Sequence, residues 1–227
     1  MSNNLIDYLE KTYEKRENQN ITVFFSKEEY TEEDKAILKI SNWLWTRLIV
    51  KNKKNDKTGN RYKHRVYYKL LFNDKEVENI LTIIMFNPSY ANQFSKDPTI
   101  NNCIKIAKDN GYNGIEVFNI LTIRDSDIER VIKNYKNKKN ALEEFKEYLK
   151  GKNILLAWGS KSKKFQEDIL KLLTGINICK FYTINSKLDN NKYPRHPRTL
   201  NDIAYVPLTQ LKICQNETNL FLTKMDA

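Results

Sequence analysis

Histidine, cysteine, proline and glycine are all scarce in this chain of 227 residues, which holds two, three, five and six of them. The cysteines (Cys103, Cys179 and Cys214) are odd in number and form no C-x-x-C pair. That spacing argues against a disulfide framework and against a zinc site, and buried reduced thiols are the expectation. There is no Pro/Gly linker, low-complexity tract or internal repeat, so one domain over 1–227 is expected, an ordinary size for a single core. No apolar run approaches the roughly 20 residues that a membrane-spanning helix needs. Met1–Asn20 is polar and lacks the apolar centre of a signal peptide, so a soluble, cytoplasmic protein with no membrane partner is expected.

Charge is what the chain has in excess, with 39 Lys and Arg against 28 Asp and Glu and a formal net charge of +11. The lysine bias matches AT-rich coding, so the distribution says more than the sum. Residues 1–40 hold nine acidic and six basic side chains, 41–73 one and nine, and 130–164 three and eleven. Two basic blocks on a folded domain suit a polyanion held through its phosphates, whereas a solvated lysine-rich surface explains the charge equally well. Single- or double-stranded DNA is the partner this suggests.

Residues 3–17 read as a helix and Ile21–Phe25 as a short apolar stretch. Ser26 with Glu29 and Thr31 with Asp34 offer N-caps for a second helix through Leu38. Trp43–Lys51 and Arg61–Phe72 read as the arms of a hairpin with a basic tip. The rhythm then becomes strand and helix in alternation. The apolar run Ile80–Phe86 suits a strand buried on both faces, and Ile115–Phe118, Ile154–Ala157 and Ile178–Thr183 follow. Helices are expected over 99–110, 127–135, 138–149 and 160–173. The fold class is therefore α/β, a three-layer α/β/α domain with a four-stranded parallel sheet. Residues 1–78 would carry the N-terminal helices and basic hairpin, 79–210 the core, and 211–227 a C-terminal tail.

Ligands of open parallel sheets bind beyond the carboxyl ends of the strands. The four exits read Phe86-Asn87-Pro88-Ser89, Phe118-Asn119, Trp158-Gly159-Ser160 and Pro194-Arg195-His196-Pro197-Arg198. Each carries a polar or tight-turn residue. Taken singly they are plain structure: Asn87 and Asn119 as turn residues, Asp97 before Pro98 as a helix N-cap, Trp158 as core, Gly159 as a close approach, His64 as surface. His196 resists that reading, because a histidine between two prolines with arginines on either side has little to pack against.

These strings carry a resemblance. Gly114–Arg124, in which a strand ends in Asn119, resembles the segment of the uracil-DNA glycosylase superfamily whose Asn reads the base. Asn87-Pro88-Ser89 resembles that superfamily's water-activating motif, Leu155–Gly159 its third strand and turn, and His196-Pro197 its final motif. Together with Asp97-Pro98-Thr99, the strings Phe118–Arg124, Ala157-Trp158-Gly159 and Pro194–Pro197 are also similar to a bacterial and phage family catalogued only as a domain of unknown function. The resemblance covers about 80–205 and implies a monofunctional DNA glycosylase that needs no metal and no cofactor. Asn87 and His196 would be catalytic, aiming a water and donating to the departing base oxygen, with Asp97 the nearest helping carboxylate. Asn119 would read the base, and Ser89, Tyr90 and Phe94 would surround it after flipping. Arg124, Ser160, Lys161, Arg195 and Arg198 would meet the DNA backbone.

Two departures mark the chain. The first motif lacks the Asp of the most active glycosylases, and Arg198-Thr199 stands where the superfamily has Ser-Pro. Both point away from uracil and toward a modified base. A non-catalytic base-, nucleotide- or DNA-binding module, and a hydrolase of free nucleosides or nucleotides, are the alternatives. Base repair, phage defence and phage counter-defence are roles in which any of these would serve.

Overall fold

The computed structural model describes residues 10, 13–18, 21–26, 65–72, 79–88, 97–121, 141–178, 180–185, 188, 192–200, 205–216 and 219–225. Among them the strands are β1 (Tyr13–Asn18), β2 (Ile21–Ser26), β3 (Arg65–Leu71), β4 (Ile80–Met85), β5 (Gly114–Asn119), β6 (Asn153–Leu156), β7 (Lys180–Ile184), β8 (Leu208–Gln215) and β9 (Leu220–Lys224). The helices are α1 (Pro98–Asp109), α2 (Lys146–Leu149) and α3 (Gln166–Thr174), with 3-10 turns at Ala141–Phe145, Ser160–Ser162 and Pro197–Thr199.

All nine strands join one mixed sheet in the order β1-β2-β3-β5-β4-β6-β7-β8-β9. At its centre β5, β4, β6 and β7 run parallel. Antiparallel strands extend both flanks, β3, β2 and β1 beyond β5 and β8 and β9 beyond β7. The sheet is thus α/β but larger than the four strands expected.

The apolar run of β4 explains its central place. Leu81 to Met85 are all buried, and alternation divides them between two cores. Leu81, Ile83 and Met85 join Tyr68, Val117 and Ile100, Cys103 and Ile106 of α1. Ile84 and Phe86 join Phe118, Trp158 and Ile169, Leu170 and Leu173 of α3. Helix α1 begins where its sequence says it should: Asp97 caps the N–H of Ile100 at 2.9 Å and Pro98 occupies the first turn. Its buried residues, 99, 100, 103, 106 and 107, recur at helical spacing.

Several expected elements are corrected. Residues 13–18 are a strand, not the end of a helix over 3–17. Their run of Glu, Lys and Arg reads as helix, yet it is also how an edge strand resists further pairing. β3 is not one arm of a hairpin with 43–51, because β2 and β5 occupy both of its edges. Residues 43–51, like 27–38 and 127–135, lie outside the described residues. Within the expected helices 138–149 and 160–173, Ala141–Phe145 and Ser160–Ser162 are 3-10 turns, and among the described residues only Lys146–Leu149 and Gln166–Thr174 are α-helical. Most of the C-terminal tail is the β8–β9 hairpin, closed by Asn216 and Asn219 through two hydrogen bonds.

Candidate functional site

Strand β4 comes first of the parallel four in sequence, yet β5 lies on one flank of it and β6 on the other. The chain therefore crosses from β4 to β5 on one side and from β5 back across β4 to β6 on the other, so the order reverses at β4, and its carboxyl end is the switch point where α/β sheets hold ligands. Asn87 stands at that exit, half-buried, and its Nδ2 donates to the Pro88 carbonyl at 3.4 Å. Pairing continues past the strands: Ile120 N–H donates to Met85 O at 2.9 Å and Leu121 N–H to Phe86 O at 2.8 Å. Asn119, opposite Met85, is thereby fixed next to the Asn87 turn.

Asn119 is 1% exposed, and among the described residues neither its Oδ1 nor its Nδ2 has a hydrogen-bond partner. Burying an amide without compensation costs about 1–3 kcal/mol, so most such groups find a partner. Alternation from Val117 turns Asn119 toward the α1 face. On that face β3 adds Tyr68, fully buried, with a hydroxyl that also lacks a partner among the described residues. Burial pushes the Tyr68 phenol up to about 12, so it is a neutral hydroxyl at pH 7. Beside it lies Arg65, fully buried, its guanidinium 5.2 Å from the Tyr68 ring centre. A bulge accounts for this placement. Phe24 pairs with Tyr67 but Phe25 pairs with Arg65, so Val66 is an extra residue, and the two-residue alternation is broken just before Tyr67. Arg65 thus comes to lie over Tyr68, a bulge's usual way of re-aiming a side chain.

His196 approaches from the other side of the switch point. Gly159, leaving β6 with φ +72°, donates its N–H to Pro194 O at 2.9 Å. A Cβ on Gly159 would meet the His196 Cβ at 3.1 Å, so glycine is needed both for the backbone angle and for the approach. Helix α1 holds the far side of the same loop, Asn102 Nδ2 donating to Pro197 O at 2.7 Å and to Leu200 O at 3.4 Å. The His196 Nδ1 accepts from the Arg198 N–H at 3.1 Å, which places the proton of the neutral ring on Nε2. Burial, then the charges of Arg198 and Lys161, lower the imidazole to about 4, against a pull in the other sense from Asp97. At pH 7 His196 is a neutral Nε2–H donor.

Asp97 is at once the cap of α1 and a half-buried carboxylate whose charge is felt at His196, Tyr68 and Cys103. Cys103 is a buried free thiol held well above the ordinary range, chiefly by burial. Arg198 and Lys161 are exposed, Arg195 and Ser160 half-buried, and Lys163 and Lys164 exposed beyond them. Ser89, Tyr90, Phe94, Arg124, Arg61, Lys63 and His64 lie outside the described residues. Among the described residues no cluster of three His, Cys, Asp or Glu could hold a metal ion, and no helix is long and apolar enough to cross a membrane.

Arg65 and Tyr68 were not legible as site residues. They lie on an aromatic, β-branched strand, and only the bulge and the neighbouring exit of β5 give them a part. Glu116, on the opposite face of β5, also escaped notice. It is fully buried and accepts from Thr82 Oγ1 at 2.5 Å, Tyr148 Oη at 2.5 Å, Lys152 Nζ at 2.8 Å and Tyr67 Oη at 3.2 Å. Every lone-pair direction of that carboxylate is in use, which makes it a brace between strands and not a site.

A family model described as "Protein of unknown function (DUF1643)" matches residues 67–198, from β3 through the His196 turn. The chain belongs to that family. No curated protein and no solved structure matches it.

Proposed function

We propose that this member of a family of unknown function is a DNA glycosylase-like hydrolase that cuts the N-glycosidic bond of a modified base and leaves an abasic site. The observation that carries the reading is Asn119, a buried carboxamide with a donor and an acceptor both unused at the carboxyl edge of a parallel sheet. A base with adjacent N–H and C=O groups supplies the two missing bonds at once. The resemblance of the four strand exits to the uracil-DNA glycosylase superfamily supports the same view, as does the packing of helices against both sheet faces, taken as an α/β/α arrangement.

The roles follow from chemistry. The bond from the anomeric carbon to the base nitrogen breaks with its electron pair leaving on the base, and a water oxygen bonds to the same carbon. His196, neutral and protonated on Nε2, donates to the base oxygen where charge accumulates. Asn87 orients the water through its amide oxygen, and Asp97 takes the proton that the water gives up. Arg195, Arg198, Ser160 and Lys161 meet phosphates, and Ser89, Tyr90, Phe94 and Arg124 complete the surroundings of base and backbone. A second reading, a base-binding module without catalysis, draws on Asn87 itself: an amide at the first exit cannot accept the water's proton.

Oligonucleotides and phage genomic DNAs carrying different modified bases, incubated with the full chain and then treated with alkali, separate the two. Strand cleavage at one base type is expected from the enzyme. Binding of such DNA with no abasic product on any base would leave the module.

A further inference from the structure

Tyr68 has a role that the glycosylase reading does not assign it. It lies opposite Val117 in the β3–β5 ladder, so it is the diagonal neighbour of Asn119 on the same face. Diagonal positions of an antiparallel pair are about 7–8 Å apart along the backbone, within reach of aromatic and other long side chains on the same face. On that shared face are the carboxamide of Asn119 and the hydroxyl of Tyr68, each fully buried and each without a hydrogen-bond partner among the described residues. A buried polar group left unsatisfied is costly, and two of them on one sheet face at the switch point indicate one ligand that satisfies both. The Tyr68 end also carries the buried guanidinium of Arg65, which donates and never accepts. What that end can recognise is therefore an oxygen acceptor, not a methyl group or a ring C–H.

We propose that Tyr68, with Arg65 beside it, is the specificity-determining residue of the site, and that the substrate is a lactam base bearing an oxygenated substituent, a hydroxyl or a carboxylate, on the side away from Asn119. This rests on Asn119 being a base reader, and it says which base. Asn119 pairs with the N–H and C=O edge that unmodified and modified bases share, and Tyr68 tells them apart. A site that offers hydrogen bonds to a substituent rejects the analogue lacking it more sharply than an apolar pocket does, because its polar groups are then left unpaired.

The test is calorimetric binding of three free bases, uracil, 5-hydroxymethyluracil and 5-carboxyuracil, to the full chain. The unsubstituted chain is expected to bind at least one oxygenated base about tenfold more tightly than uracil, the discrimination of one hydrogen bond worth about 1.4 kcal/mol. Tyr68→Phe removes only an unpartnered hydroxyl and keeps the ring under Arg65, so the apo protein should fold with an unchanged or raised melting temperature. It should lose the tenfold margin between the oxygenated bases and uracil. Arg65→Lys, which keeps the charge but loses the planar fork, serves as the second variant and should narrow the same margin. Asn119→Ala should weaken all three bases together. Equal binding of the three by the parent chain, or a margin untouched by Tyr68→Phe, overturns the inference and leaves Asn119 as a base reader. No binding of any of the three overturns both.

Discussion

Glu116 and Asn119 sit three residues apart on the same strand, both fully buried, and the protein treats them in opposite ways. The odd spacing sends them to opposite faces of the sheet. Glu116 meets four donors, one of them Lys152, whose ammonium also lies 3.9 Å from the Tyr148 ring centre. Asn119 meets none. Burying either group costs desolvation, the carboxylate more than the amide, and on one face the fold itself supplies the compensation while on the other no described residue does. A buried polar group that is satisfied ties elements together; one that is not is where the proposed base reader stands.

The largest effect that would sharpen this contrast is on stability. Glu116→Ala should cost about 3–5 kcal/mol, because it strands the Lys152 ammonium and three hydroxyls around an empty position. Urea denaturation measures it, and a loss below about 1 kcal/mol would break the contrast from the structural side. Next is the rate of base release on a confirmed substrate. His196→Ala should lower the single-turnover rate about a hundred- to a thousandfold with little change in substrate affinity, since the Nε2–H stabilises charge that exists only as the base departs. Full activity of that variant would move the leaving-group site elsewhere.

Smaller, and opposite in sign to Glu116→Ala, is Asn119→Leu. Replacing an unsatisfied carboxamide by an apolar side chain of similar size should raise the apo protein's stability by about 1–3 kcal/mol while abolishing base binding. A thermal melt that instead falls would mean the amide holds the fold.

The last concerns pH. With a folded pKa of about 4 against 6.5 for the unfolded ring, His196 binds a proton in the unfolded chain at pH values where the native ring does not. Stability should therefore decline as pH falls from about 6.5 through 4, and His196→Asn should flatten that part of the profile, with carboxylate titration left unchanged. The charge of Arg198 and Lys161 contributes to the lowering, so neutralising either should move the native midpoint upward.

How much of this was legible in the sequence varies with the range of the interaction. The four parallel strands, the cap at Asp97, the turn at Gly159 and the polar exits Asn87, Asn119 and His196 are local signals, each carried by a few consecutive residues. Tyr13–Asn18 misled because its charged residues favour a helix in isolation, and only the neighbouring strand Ile21–Ser26 makes it an edge. Leu208–Gln215 and Leu220–Lys224 alternate too weakly to declare themselves strands before β7 offers an edge to pair with. Arg65 gave no sign at all, since a one-residue bulge decides where its side chain goes.

The sequence by itself determined the apolar runs, the caps and the turn residues, because period and backbone preference act over a handful of neighbours. Only the tertiary structure decided which polar side chains would find partners. Glu116 and Asn119 are both buried on one strand, and their difference lies in Thr82, Tyr148 and Lys152, which come from elsewhere in the chain and reach one face of the sheet but not the other.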